Sequence, residues 1–546
     1  MKIWRILMFN FFALSQLSAQ NNSKFIEFDI YENGKKLENT SIKLYSNNEI
    51  AKIINPSTTD LFSLNYKDKF VYKTAILLNK SYTVPTPFDS MPKPELTNIK
   101  DTILGYICTK YNYTYFSNKV EVWSTTASPF KGSPSSTFVV PNGLVLKYIV
   151  NGNRTVIAKN ISDSAEKLEL NINKDDFVDN PTFLSLQINS RFTTIPIFKN
   201  EQINFRNSGG ETYYFDSISQ VFHYSKGNIL LKKISLPKGK GYYFLNLKTW
   251  SNGDAYDRVG SVFTIPNSGK SMLDAFKLGI DSIPYFLDNH QEKYQGVASK
   301  ENFITTNELM RFFTPFGVGF FNNLRKIKGY NWGDSVICRQ EVTALIPDEN
   351  EMWIGVYIGN YDNGGHKVSL DLQFYPDNDL SSKKKWSYPI FNTVNIMEAM
   401  NQNYGKMFLN DTLEVDFNIS DTIANVELLY TTTGHGGWEN GDEFVPKSNQ
   451  IWIDNSLVFQ HTPWRTDCGS YRLNNPASGN FPNGLSSSDL SRSNWCPGTV
   501  TPPFRIPLKD LKIGNHNIKI VIDQGKNEGT SFSHWCVSGV LVGDKK

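Results

Sequence analysis

Three polar, glycine-rich stretches hold the side chains best suited to chemistry. The first is Thr249-Trp250-Ser251-Asn252-Gly253-Asp254-Ala255-Tyr256-Asp257-Arg258, set between the apolar runs 242–247 and 259–263. The second is Thr433-Gly434-His435-Gly436-Gly437-Trp438-Glu439-Asn440-Gly441-Asp442-Glu443-Phe444. Its four Gly around His435 permit backbone angles closed to other residues. Its three carboxylates, Glu439, Asp442 and Glu443, repel one another unless they are solvated or given a task. The third, Ser491-Arg492-Ser493-Asn494-Trp495-Cys496-Pro497-Gly498, sets Arg beside Trp near a Cys, as a sugar-stacking surface would. Two carboxylates in different environments can divide the acid and base work of a hydrolysis. Each stretch also has an ordinary reading: Asn-Gly-Asp is a turn signal, the second stretch a solvated loop and the third a packed turn.

Other signatures fail. Ser268-Gly269-Lys270-Ser271 looks like the end of a phosphate-binding loop, but Thr264 stands where the first Gly is needed. The seven His show no H-x-H or H-E-x-x-H spacing, so no metal is expected, and no cofactor. There is no G-x-S-x-G elbow. With 56 basic against 53 acidic side chains the net charge is +3, which gives no footprint for nucleic acid.

The elements that must position these loops are strands. Alternation with period two runs through residues 368–374, 413–419 and 517–522, and turns such as Tyr361-Asp362-Asn363-Gly364-Gly365 separate such runs. This rhythm predicts antiparallel sandwiches. One short helix is expected after Ser271, with Leu273, Phe276 and Leu278 inward. The 11 Trp, 26 Tyr and 37 Phe supply ample material for cores, and 546 residues exceed one core. Composition divides the chain at about residues 206 and 388. Tyr111, Tyr113 and Tyr115 alternate along one expected strand and are read as core.

Residues 1–20 read as a secretory leader, with Lys2 and Arg5 before an apolar run ending at Leu14 and small residues at Leu17-Ser18-Ala19. That run is too short to span a bilayer, and no later stretch is long enough. A secreted or periplasmic protein with its leader removed is expected, so disulfides are permitted. The five Cys show no C-x-x-C, and at least one stays unpaired within the chain.

Over about residues 207–546 the sequence resembles the peptide N-glycosidase F family, enzymes that remove N-linked glycans from asparagine. Asp254-Ala255-Tyr256-Asp257-Arg258 is similar to the family's D-x-aromatic-D-R loop, and Glu443-Phe444 followed by Ile451-Trp452-Ile453-Asp454-Asn455 to its E-aromatic loop and the next strand. Phe459-Gln460-His461 and Arg492-x-x-Trp495-Cys496-Pro497-Gly498 also recur there.

The resemblance implies a mostly β protein: two tandem antiparallel jelly-roll β-sandwiches (207–388 and 389–546) with the active site in the cleft between them, preceded by a β-rich, bowl-like N-terminal domain (21–206). It implies Asp257 and Glu443 as catalytic carboxylates, with Asp254, Tyr256, Arg258, Tyr361, His435, Arg492 and Trp495 binding substrate, and a Cys468–Cys496 disulfide. A third family carboxylate aligns with Gly359, leaving Asp362, Glu439 and Asp442 as nearby candidates. Residues 266–309 read as an insertion. The implied partners are N-glycosylated proteins or peptides, acted on by a monomer. The alternative is a catalytically inactive N-glycan-binding or adhesion protein on the same fold.

Overall fold

The computed structural model describes residues 23–205, 220–267, 269–300, 302–317, 333–377, 385–436, 441–475, 486–508, 511–527 and 532–545. The expected leader and Glu439 lie outside them. The chain forms two compact units, one ending at Arg191 and the other beginning at Phe192.

Among the described residues of the first unit, eleven antiparallel strands make one sheet, running from the edge strand Lys80–Pro87 to the opposite edge Glu95–Ile103. Alternate residues of Ser23–Glu32, such as Ile26, Phe28 and Ile30, pack with Leu44, Val122 and Val156. Tyr113 is buried with its hydroxyl donating to the Val139 carbonyl, and Tyr111 and Tyr115 lean on the same core. The tyrosine row is therefore core. Helix Asn180–Asn189 is capped by Asp179, which accepts from the Thr182 amide, and it buries Phe183 against Ala75, Leu77 and Val84.

The second unit holds two sandwiches. In the first, Thr193–Ile203, His366–Pro376, Gly241–Ser251 and Val336–Glu341 face a sheet in the order Phe222–Tyr224, Ile229–Ser235, Glu351–Ile358, Val259–Ile265, Asn307–Phe313 and Val500–Thr501. In the second, Lys385–Asn392, His534–Lys545, Ile423–His435 and Phe504–Pro507 face Leu413–Ile419, Gly514–Ile522, Asn449–Ile453 and Ser456–His461. Leu413, Val415, Phe417 and Ile419 point inward and the residues between them outward, as the period-two reading expects.

Both expected boundaries shift. Thr193–Ile203 lies before residue 206 yet pairs with His366–Pro376 in the first sandwich, and residue 388 falls inside Lys385–Asn392, which pairs with the C-terminal strand. Backbone pairing, invisible to local composition, sets both limits. The helix Met272–Leu278 forms after Ser271, whose amide donates to Asp274. It buries Met272, Ala275 and Phe276, while Leu278 points to solvent. The insertion ends sooner than expected, because Asn307 already begins a strand paired with Val259–Ile265.

The sandwiches are tied at their centre by a buried ion pair. Arg311 bonds both Glu308 oxygens at 2.7 and 2.8 Å and reaches across to the Thr433 hydroxyl at 2.8 Å and the Cys536 carbonyl at 3.0 Å. Glu308 also accepts from Ser261 and Ser538. Each guanidinium nitrogen of Arg311 has an acceptor, which is what makes two buried charges tolerable. Among the described residues no helix is long and apolar enough to cross a membrane.

Candidate active site

The first expected loop connects strands Gly241–Ser251 and Val259–Ile265 and is clamped by the neighbouring turn. Asp362 accepts from the Gly364 and Gly365 amides at 2.7 and 3.1 Å, and Gly365 in turn accepts from Asn252 at 2.8 Å. A Cβ on Gly253, where φ is +141°, would stand 3.0 Å from the Gly364 Cα, so the two turns pack backbone to backbone. Asp254 is buried and takes Arg258 in a fork, Nε at 2.7 Å and Nη2 at 3.1 Å. The Arg258 amide and carbonyl are pinned to Thr314, which fixes the residue before it, Asp257. The Arg258 guanidinium lies 5.1 and 5.6 Å from the ring centres of Tyr256 and Tyr361, both more than half exposed.

The second and third stretches come from the other sandwich and interlock. Gly436 has φ of +75°, and a Cβ there would collide with the Phe532 carbonyl, so only Gly fits. Its carbonyl accepts from the Glu443 amide, and the Glu443 carbonyl accepts from Ser493 at 3.0 Å. Arg492 pairs backbone to backbone with Arg465, and the Cys468–Cys496 disulfide closes the same segment, as the resemblance implies. The Arg492 side chain donates to the Ser487 carbonyl at 2.8 Å and lies over the rings of Trp495 and Phe444.

These pieces converge on one guanidinium. Arg492, 2% exposed, contacts Glu443 through Nη1, and its Nη2 stands 3.6 Å from Asp257 Oδ2. That separation is an ion pair rather than a hydrogen bond, and Asp257 Oδ2 is buried with no hydrogen-bond partner. Burial pushes the Asp257 carboxyl above its usual range, against the pull of Arg492 and Arg258. The same burial lowers Arg492, which Asp257 opposes. A carboxyl with a raised proton affinity beside a second carboxylate is equipment for proton transfer at a hydrolytic site.

Three residues expected to bind substrate are buried. His435, 7% exposed, shares a hydrogen bond with Thr433 at 2.8 Å and packs between Phe313 and His534. Burial and the neighbouring cations hold it well below the usual His range, hence neutral. Trp495, 3% exposed, donates its indole N–H to the Gly434 carbonyl and stacks on Phe313 of the first sandwich, 4.2 Å between ring centres. Asp254 serves Arg258. Gly434 and Gly436, on either side of His435, accommodate close packing.

Of the candidates for the missing carboxylate, Asp362 caps its turn, and Asp442 is buried with its oxygens taken by Trp535 and the Gly525 amide. A Cβ at Gly359 would stand 3.0 Å from the Tyr357 hydroxyl, so this tyrosine occupies the space. The carboxylate the sequence did not single out is Glu398, which lies near enough to act electrostatically on Tyr361, Tyr357 and His534. Nothing in Met397-Glu398-Ala399 signals this, because only the fold brings it beside Tyr361. Among the described residues no three His, Cys, Asp or Glu side chains are grouped to hold a metal.

Residues 194–374 match the family described as Peptide-N-glycosidase F, N terminal, residues 403–542 its C-terminal counterpart, and residues 26–185 the N-glycanase peptide, N-terminal domain. A solved structure of PNGF-II in space group P21 is 38% identical, with 96% of this chain and 100% of that one covered and a TM-score of 0.84. The chain belongs to the peptide-N-glycosidase F family. PNGF-II in space group C2 is similar at 39% identity, with 96% and 98% covered and a TM-score of 0.81. PNGase F, a glycosylasparaginase from Flavobacterium meningosepticum, is 15% identical over 65% of this chain and 96% of its own, with a TM-score of 0.41. A search of curated proteins gives no match. Membership in the peptide-N-glycosidase F family, with the additional N-terminal domain, agrees with the mostly β fold and supports an N-glycanase type of function.

Proposed function

We propose that the protein is a secreted peptide-N-glycosidase, an amidase that hydrolyses the bond between an Asn side-chain carbonyl and the nitrogen of the first GlcNAc. The observation that carries the reading is Arg492 held between Asp257 and Glu443, side chains of two sandwiches. Water oxygen adds to the amide carbon, the carbon–nitrogen bond breaks, and the departing nitrogen takes a proton, giving Asp in the peptide and a glycosylamine. An amide is a poor electrophile, so orientation, charge stabilisation and proton delivery must all be supplied. Asp257, with its raised proton affinity, handles the proton at the glycan side. Glu443 orients the water, and Arg492 holds the charge that develops between them. Tyr256, Arg258 and Tyr361 form the exposed wall against the sugar and peptide. In this reading the leader is removed on export, the protein acts as a monomer, and the N-terminal domain recruits substrate or restricts access.

The experiment is mass spectrometry of a denatured N-glycopeptide incubated with the protein in heavy-oxygen water. Heavy-labelled Asp at the glycosylation site, absent with Asp257→Asn, supports the amidase. The second reading, a binding protein without turnover, draws on Tyr357 occupying the space beside Gly359. It predicts an untouched peptide that remains bound.

A further inference from the structure

Strand Val259–Ile265 leaves the loop bearing Asp257 and runs seven residues to a second cleft, roughly 20 Å away at extended spacing. This cleft, of ≈ 280 Å³, lies between the end of the first sandwich and strand Lys385–Asn392 of the second. Its volume is near the lower end of the about 300–1,000 Å³ typical of small-molecule pockets.

Two aromatic side chains line the cleft. Trp386 and Tyr388, two apart on one strand, point to the same face with ring planes 7° from parallel and centres 6.3 Å apart. Both are half-buried against the core of the second sandwich. At the other side lies a polar group without a partner. Asn307 is 4% exposed, its amide N–H donates to the Leu345 carbonyl at 3.0 Å, and its Oδ1 accepts from nothing. An unmade bond of this kind is costly in a buried place. The rim adds Asn267, bonded to Glu349, and the carboxylate of Asp348. The cations at the mouth are neutralised: Lys385 bonds Asp544 at 2.8 Å and Lys545 bonds Asp421 at 2.7 Å. Spare positive charge for a phosphate or carboxylate ligand is therefore not provided.

Parallel aromatic faces, planar amide and carboxylate acceptors and balanced charge fit a neutral sugar, whose ring offers C–H faces and whose hydroxyls donate. We propose that the cleft bounded by Trp386, Tyr388 and Asn307 is a second carbohydrate-binding site, which takes one pyranose unit of an oligosaccharide at a distance from the Asp257–Arg492–Glu443 cluster. The site does not depend on the amidase reading, and its test does not use turnover.

The test is calorimetric titration of the full chain with two free sugars lacking asparagine, a branched mannotriose and N-acetyllactosamine. At least one is expected to bind, with affinity lowered at least about tenfold by Trp386→Ala and by Tyr388→Ala. Trp386→Tyr keeps an aromatic face and is expected to retain binding, which separates lost stacking from lost folding. Asp257→Asn is expected to bind as the wild type does. Binding of neither sugar, affinity unchanged by Trp386→Ala, or affinity lost in Asp257→Asn would each overturn the proposal, the last by placing the sugar in the other cleft.

Discussion

Arg492 reaches from the second sandwich to Asp257 of the first, Nη2 standing 3.6 Å from Oδ2, while the same guanidinium contacts Glu443. Arg258 is the other cation that acts on Asp257. Arg492→Met is expected to lower kcat by about 10²–10³ and to destabilise the fold by about 3–5 kcal/mol, because two partly buried carboxylates lose their cation. Arg492→Lys keeps the charge but not the planar fork lying over Trp495 and Phe444, and is expected to recover stability more than kcat. Steady-state kinetics beside denaturant unfolding separates the two.

The pH profile follows from Asp257. Burial raises its proton affinity and Arg258 opposes the rise. Arg258→Met is expected to move the carboxyl limb of the kcat/KM profile to higher pH, since removal of a nearby cation favours the neutral acid. A limb that stays in place assigns that ionisation to another group. Arg258→Met should also raise KM, because Tyr256 and Tyr361 lose the guanidinium between them.

The Cys468–Cys496 disulfide closes a segment of sequence separation 28 that includes Arg492 and Trp495. Its loss is expected to cost about 3 kcal/mol through the unfolded chain's regained freedom. Activity should fall at lower denaturant than tertiary structure does, since the loosened segment carries the shared guanidinium. Parallel activity and fluorescence curves with and without reductant check this.

His366 supplies a stability prediction. It is fully buried, Nδ1 donates to Asn360 at 2.8 Å and Nε2 has no partner. Burial lowers its proton affinity from 6.5 to about 4. The folded state thus favours the neutral ring, and the unfolded chain takes up the proton first. This contribution is fully present above pH 6.5 and is lost as pH falls toward about 4, a change on the order of 3 kcal/mol. Unfolding free energies at neutral and mildly acid pH should show a shallower decline in His366→Gln than in the wild type. An equal decline in both would assign the effect to His435 or His534, which burial also lowers.

Much of this was legible in the residues. The strand Leu413–Ile419 and the loops bearing Asp257, Glu443 and Arg492 stand where period and turn chemistry place them. What local sequence could not carry is what distant pairing decides. Thr193–Ile203 looks like the preceding polar region until its hydrogen bonds to His366–Pro376 are counted. His435 and Trp495 look like ligand residues because glycines and a neighbouring Arg suggest a binding loop, yet Phe313, from a strand far earlier in the chain, buries both. Glu398 and Asn307 have no motif at all, and only their surroundings give them meaning.

The edge strand Val500–Thr501 completes a sheet whose other members end by residue 358, and the Cys536 carbonyl and Ser538 hydroxyl complete the shell of Arg311 and Glu308. A chain still leaving the ribosome therefore carries Asp257 long before it carries Arg492, and carries both before the strand that locks the two sandwiches together. The site is latent through most of translation, and severing the chain ahead of its last strand should yield neither a half-active fragment nor a separable binding module.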